Sequence, residues 1–235
     1  MSILERAPEI LTLPGIIHDI VDVTSRKSSS ASDLTAVIES DPALASRVLA
    51  VANSPYYGFV KKIKSVSHAV VVLGFKEIQN IALGMSVLRM FDAKGSEFME
   101  HLWKHSFCAG VAARMIADHL ALKVEGKYFV AGLLHDVGKI FMSQYVPESF
   151  HELLTLMLSS RNLKCYHALE ESVLGITHQE VGGILLRSWM FPQEIVDAVA
   201  FHHDPASSRL DPVFTFCIHL ADVLCTVKGI TPLKD

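Results

Sequence analysis

The sequence predicts an all-α chain, and three observations predict it. Apolar residues recur three and four apart in segment after segment, which is the spacing of one buried helical face. Ser, Thr, Asp and Pro stand repeatedly where such segments begin. No alternating apolar and polar run long enough for a strand interrupts them.

The elements follow in order. PGIIHDIVDV begins the first helix, with His18 and Asp19 on its solvent side. Ser32 caps a second helix through Leu34, Val37 and Ile38. Asp41-Pro42 starts a third: Asp accepts N–H bonds at the cap, and Pro suits the first helical position. Leu44, Val48, Leu49 and Ala52 form its buried face. Asn53-Ser54-Pro55 ends it, and YYGF follows as a loop with the exposed aromatics Tyr56 and Tyr57. Ser67 begins a piece that ends near Gly74, and Phe75, Ile78, Ala82 and Met85 carry the helical spacing on to about Phe91. DAKGSE, residues 92–97, gathers small, charged and turn-forming residues and marks a subdomain boundary.

A long helix spans 97–121, and another ends near His135, with Gly138 as the left-handed residue that closes it. Pro147 opens a helix through Leu153, Leu156 and Met157. Thr177-His178-Gln179-Glu180 is a capping box, so a helix runs from there to about Met190. Pro192 opens the next, which ends at His202-His203-Asp204-Pro205, and Pro212 opens the last, through Leu220 and Leu224.

Composition excludes several classes. Half of the 235 residues are apolar, enough for a real core. The net charge of −4 argues against a nucleic-acid surface, which needs a basic field. Lys61-Lys62-Ile63-Lys64 reads as a solvated loop. None of the four cysteines makes a C-x-x-C pair, so reduced thiols are expected. The N-terminus carries an early acidic residue and makes a poor signal peptide. HAVVVLGF, the densest apolar stretch, is too short to span a bilayer. The expectation is a soluble cytoplasmic protein with neither nucleic acid nor membrane as partner.

Twelve histidines remain to be placed. His101 and His105 share one helical face. His135 and Asp136 end an oily helix, His178 follows its cap, and His202 and His203 close another helix. Asp222 lies inside the apolar CIHLADVLC, with His219 three residues before it. A lone buried carboxylate is costly unless it is paired or metal-bound. Imidazole and carboxylate together suit iron, manganese, cobalt, nickel or zinc at a site with open positions. His18, His68, His119, His151 and His167 show no partner pattern and read as ordinary boundary residues.

In order, WKHS (103–106), GLLHDVGK (132–139), HQEVGGILLRSWMFPQEIVDAVAFHH (178–203) and IHLADVL (218–224) resemble the motifs of the HD superfamily of metal-dependent phosphohydrolases. DPALASRVLAVANSPYYGF and SVSHAVVVLGFKEIQNIAL resemble the N-terminal half of the HDOD family, HD-related output domains of bacterial signalling proteins. The resemblance implies two helical lobes, residues 1–93 and an HD-like lobe of 94–235. It implies His105, His135, Asp136 and Asp222 as first-metal ligands. Likeness to the HD-GYP phosphodiesterases adds His178, His202 and His203 for a second ion. His101 stands where that group can carry a Glu ligand. Lys139 matches a lysine thought to contact or protonate phosphate in the hydrolytic relatives.

DPASSRLDP replaces the Gly-Tyr-Pro loop of the HD-GYP enzymes after His202-His203, so cyclic di-GMP hydrolysis is not expected. The implied function is a signalling module with a protein partner or a nucleotide or phosphate ligand, holding one or two divalent transition metals. The alternative is a metal-dependent phosphohydrolase acting on a nucleotide or phosphodiester.

Overall fold

The computed structural model describes residues 15–26, 28–55, 57–90, 97–122, 126–159 and 166–231. Thirteen α-helices and one 3₁₀ turn occur among the described residues, with no strand among them. They are α1 (Gly15–Ser25), α2 (Ala31–Glu39), α3 (Pro42–Ala52), α4 (Val66–Leu73), α5 (Phe75–Met90), α6 (Glu97–His119) and α7 (Lys127–Leu134). Then come α8 (Val137–Tyr145), α9 (Pro147–Ser159), α10 (Tyr166–Leu174), α11 (His178–Ser188), α12 (Gln193–Phe201), the 3₁₀ turn Pro205–Ser207 and α13 (Pro212–Val227).

Several caps stand where the sequence puts them. Asp41 accepts from the backbone N–H groups of Ala43 and Leu44, with Pro42 inside the first turn. Thr177 and Glu180 form both halves of their box. Two starts move by a pair of residues. Ser30, not Ser32, caps α2, because Asp33 sits where it completes a reciprocal box with Ser30. Ser65, not Ser67, caps α4 by accepting from His68 N–H. Helices α8 and α10 are absent from the sequence reading. The expected boundary at 92–97 falls mostly outside the described residues, and Tyr56 lies outside them too. Tyr57 is not an exposed aromatic. It is half-buried, its hydroxyl sits between Glu77 and Arg114, and the Arg114 guanidinium lies 5.0 Å from its ring centre.

One continuous apolar core runs from Ile17 and Ile20 of α1 to Ile218 and Ala221 of α13. Helix α6 is the axis of the C-terminal part and packs on both α7 and α13. Glycine permits the α6–α7 approach: a Cβ on Gly132 would lie 2.7 Å from the Gly110 Cα. That contact sets His105 of α6 beside His135 at the end of α7. Helix α8 packs on α11 in the same manner. Gly138 does not close a helix in the left-handed region. It lies inside α8, and a Cβ there would fall 1.9 Å from the His178 carbonyl oxygen. Its smallness serves a backbone-to-backbone contact that sequence spacing does not reveal.

Candidate metal centre

Five segments deliver the polar side chains. Helix α6 carries His105, the α7–α8 junction carries His135 and Asp136, and α11 opens with His178. The end of α12 carries His202 and His203, and α13 carries Asp222. All seven residues named from the sequence converge, and Asp136 lies between two groups of them.

In the first group, His105 Nε2 is 3.2 Å from His135 Nε2, 3.2 Å from Asp222 Oδ1 and 3.7 Å from Asp136 Oδ2. His135 Nε2 lies 3.4 Å from the same Asp136 oxygen. In the second group, His178 Nε2 is 3.2 Å from His202 Nε2, 3.1 Å from His203 Nε2 and 3.4 Å from Asp136 Oδ1. Thus one oxygen of Asp136 faces each group. His203 Nδ1 and Asp222 Oδ2, 4.0 Å apart, join the two groups along the outer edge.

The opposite ring nitrogens decide which lone pairs point inward. His105 Nδ1–H donates to the Ile230 carbonyl, His135 Nδ1–H to Gly132, and His202 Nδ1–H to Val199. His178 Nδ1–H donates to Glu170 Oε2 at 2.6 Å, and the same oxygen accepts from the His178 backbone N–H at 3.0 Å. A neutral ring held this way turns a bare Nε2 toward its neighbours. Bare nitrogens 3.2 Å apart repel unless a cation lies among them. Among the described residues, buried Asp136 Oδ1 finds no hydrogen-bond donor, an arrangement that is expensive without a positive partner.

The spacing suits a metal. Bonds of about 2.1 Å place neighbouring ligand atoms roughly 3.0 Å apart in octahedral and 3.4 Å apart in tetrahedral geometry. His105, His135, Asp136 and Asp222 fit one divalent ion, and His178, His202, His203 and Asp136 fit another. Nitrogen and oxygen donors without thiolate favour iron, manganese, cobalt, nickel or zinc over softer ions.

Electrostatics separate the groups. Burial alone would push the Asp136 carboxyl up, but His135, Lys139, His178 and His105 hold it well below the usual range. Asp222 is likewise lowered, chiefly by its bond with His105. Burial lowers His105, yet Asp222 and Asp136 outweigh it and raise the ring above its ordinary value. Burial lowers His135. Burial and the neighbouring rings push His202 far down and His203 to about 3. Both shifts favour the neutral imidazole at His202 and His203.

Lys139 is buried, and its ammonium donates to Asp136 Oδ2 at 2.8 Å. Burial disfavours its charge, but Asp136 and Asp222 more than restore it. His101 stands outside both groups, 3.6 Å from Glu97. His18, His68, His119 and His151 are exposed, and the His167 side chain is outside the described residues. His219 donates from Nδ1 to the His202 carbonyl and so braces the end of α12. Sequence reasoning missed Glu170. Nothing in YHALEESVL separates it from Glu171, and only burial does. Solvent reaches the centre beside His203 and Asp222, whose side chains are 23% and 14% exposed. A divalent ion held there would acidify bound water and neutralise phosphate charge. The chain itself provides the ammonium of Lys139 beside Asp136.

A family model described as the HDOD domain matches residues 10–205. An uncharacterized protein of Treponema pallidum (strain Nichols) is 27% identical over 239 residues, which is 100% of this chain and 46% of that protein. The chain therefore spans less than half of that relative. A solved HDOD domain protein of unknown function from Geobacter sulfurreducens aligns with 94% of this chain and 74% of its own, at TM-score 0.79 and 27% identity. A protein of Marinobacter aquaeolei VT8, provisionally named for signal transduction, aligns with 94% of this chain and 50% of its own, at TM-score 0.74 and 25% identity. With its all-helical architecture and the match across most of its length, this chain belongs to the HDOD family.

Proposed function

We propose that this chain is a signalling HDOD module that holds a pair of divalent transition-metal ions and reads a phosphate-bearing ligand there. The lobe of residues 94–235 is the reader, and the lobe of residues 1–93 presents the surface for a protein partner. The observation that carries the metal centre is Asp136, whose two oxygens face separate imidazole groups. The signalling role draws support from family membership and from the name of the Marinobacter relative. Elemental analysis of anaerobically purified protein tests the centre. About two ions per chain are expected, one lost in Asp222→Ala and both in Asp136→Ala. Metal-free protein that takes up no ion on titration would end the reading.

A second reading is a metal-dependent phosphohydrolase. Lys139 beside Asp136 and the solvent-reached edge at His203 and Asp222 favour it. It predicts turnover of a nucleotide or phosphodiester that His135→Ala abolishes. Bound metal with no turnover across a broad phosphoester panel selects the sensing module.

A further inference from the structure

The loop between α3 and α4 is built to present its tip. Asn53 clamps one side: its Nδ2 donates to the Ile63 carbonyl at 2.9 Å, and Ile63 N–H donates to its Oδ1 at 2.8 Å. The Ile63 side chain is buried. Tyr57 anchors the other side through Glu77 and Arg114, and the Phe59 ring stacks against it with centroids 6.3 Å apart. Between these fixed posts stand Phe59, 41% exposed, and Val60, 102% exposed. Phe59 thus shows part of its ring and Val60 its whole side chain beyond the described residues around them. Two lysines follow at once, and a third stands just past the anchor.

The charge on this stretch opposes that of the chain. Lys61, Lys62 and Lys64 are exposed and have no ion-pair partner among the described residues. From 55 to 90 the one acidic residue is Glu77, buried against Arg114. Beside the tip lies a groove of about 610 Å³. Leu49, Ala50 and Ile63 supply apolar wall, Lys62 and Lys64 stand on its rim, and no acidic residue lines it.

We propose that this tip and groove form a peripheral docking surface for an anionic phospholipid bilayer. Apolar side chains flanked by lysines match the interface of such a bilayer, with hydrocarbon beneath a layer of negative headgroups. The groove pairs an apolar wall with two ammonium groups, which is the polarity of a phospholipid at its headgroup. A protein partner is the weaker match, since such interfaces bury roughly 800 Å² per side, far more than two apolar side chains offer. The sequence expectation of no membrane partner rests on the lack of a spanning segment, and no described helix is long and apolar enough to cross one. Surface attachment requires no such helix. The proposal is independent of the metal centre.

Vesicle sedimentation tests it. Vesicles of mixed phosphatidylcholine and phosphatidylglycerol should carry the protein down, and vesicles of phosphatidylcholine alone should not. High salt should release it. Each lysine removed should weaken partitioning about fivefold, so Lys61→Glu/Lys62→Glu should lose more than roughly 25-fold. Val60→Asp should lose at least about tenfold. Both variants alter exposed positions, so helicity and metal content should match the parent protein and exclude misfolding. No sedimentation with the anionic vesicles overturns the proposal and leaves the tip to an acidic protein surface. Full binding by Val60→Asp, equal binding to neutral vesicles, or release by millimolar glycerol phosphate would also overturn it.

Discussion

Replacing Gly138 with alanine should force α8 and α11 apart. The new Cβ would lie 1.9 Å from the His178 carbonyl oxygen, 2.7 Å from its carbon and 2.9 Å from the His178 Cα. All three are backbone atoms, so no side chain can swing away. Reaching ordinary contact requires an opening of about 1.5 Å, which belongs at the upper end of overpacking costs, about 3 kcal/mol. Alanine returns about 1 kcal/mol of helix propensity. The net loss is about 2 kcal/mol, or a fall in Tm of roughly 4–8 °C for a chain of this length. The same opening would separate His178 Nε2 from Asp136 Oδ1, now 3.4 Å apart, so the metal content of the second group should fall. Thermal unfolding followed by circular dichroism, with elemental analysis of the same samples, measures both effects. Gly15→Ala is the control, because its Cβ would meet nothing within 4 Å. A Gly138→Ala protein with parental Tm and full metal content would refute the reasoning.

Other expectations follow from single contacts. Glu170→Gln keeps the shape of the side chain but removes the charge that orients His178, so metal affinity should fall about 10–100-fold with the fold intact. Competition with a fluorescent chelator reads this, and unchanged affinity counts against the role. Tyr57→Phe removes the hydroxyl that links Glu77 and Arg114 and should cost about 1–2 kcal/mol in urea unfolding. An unchanged midpoint would mean that the link contributes nothing. Metal-free protein should weaken in acid. In the fold, His202 and His203 resist protonation, His203 until about pH 3, whereas in the unfolded chain each takes a proton near pH 6.5. The unfolded state therefore binds more protons below that value. Their contribution is whole above about pH 6.5 and declines as the pH falls below it, for His203 by about 1.4 kcal/mol per unit toward pH 3. Stability that stays flat between pH 7 and 5 in chelator-treated protein would contradict those shifts.

Much of the centre was legible because its residues break local rules. A carboxylate within CIHLADVLC and a His–Asp step after GLL stand out against apolar neighbours, so Asp222 and Asp136 could be named before any contact was known. The capped start at Thr177 was equally plain, since a capping box is a local pattern. What stayed hidden depends on contacts distant in sequence. Glu170 looks like any surface glutamate until α10 is packed. Gly138 looks like a helix stop until the α11 backbone is brought against it. Tyr57 looks like a displayed ring until Glu77 and Arg114 reach it. His101 shares its face with His105, yet a turn of helix leaves it beside Glu97.

Asp136 serves two sets of neighbours through one side chain. The two halves of the centre consequently have a common point of failure. Exchanging His203 or His105 can silence one half and spare the other, whereas any exchange at Asp136 disables both together. Were both halves to hold an ion, filling one would change the electron density that the shared carboxylate offers across to its neighbour, and the strength of the second binding would report whether the first had occurred.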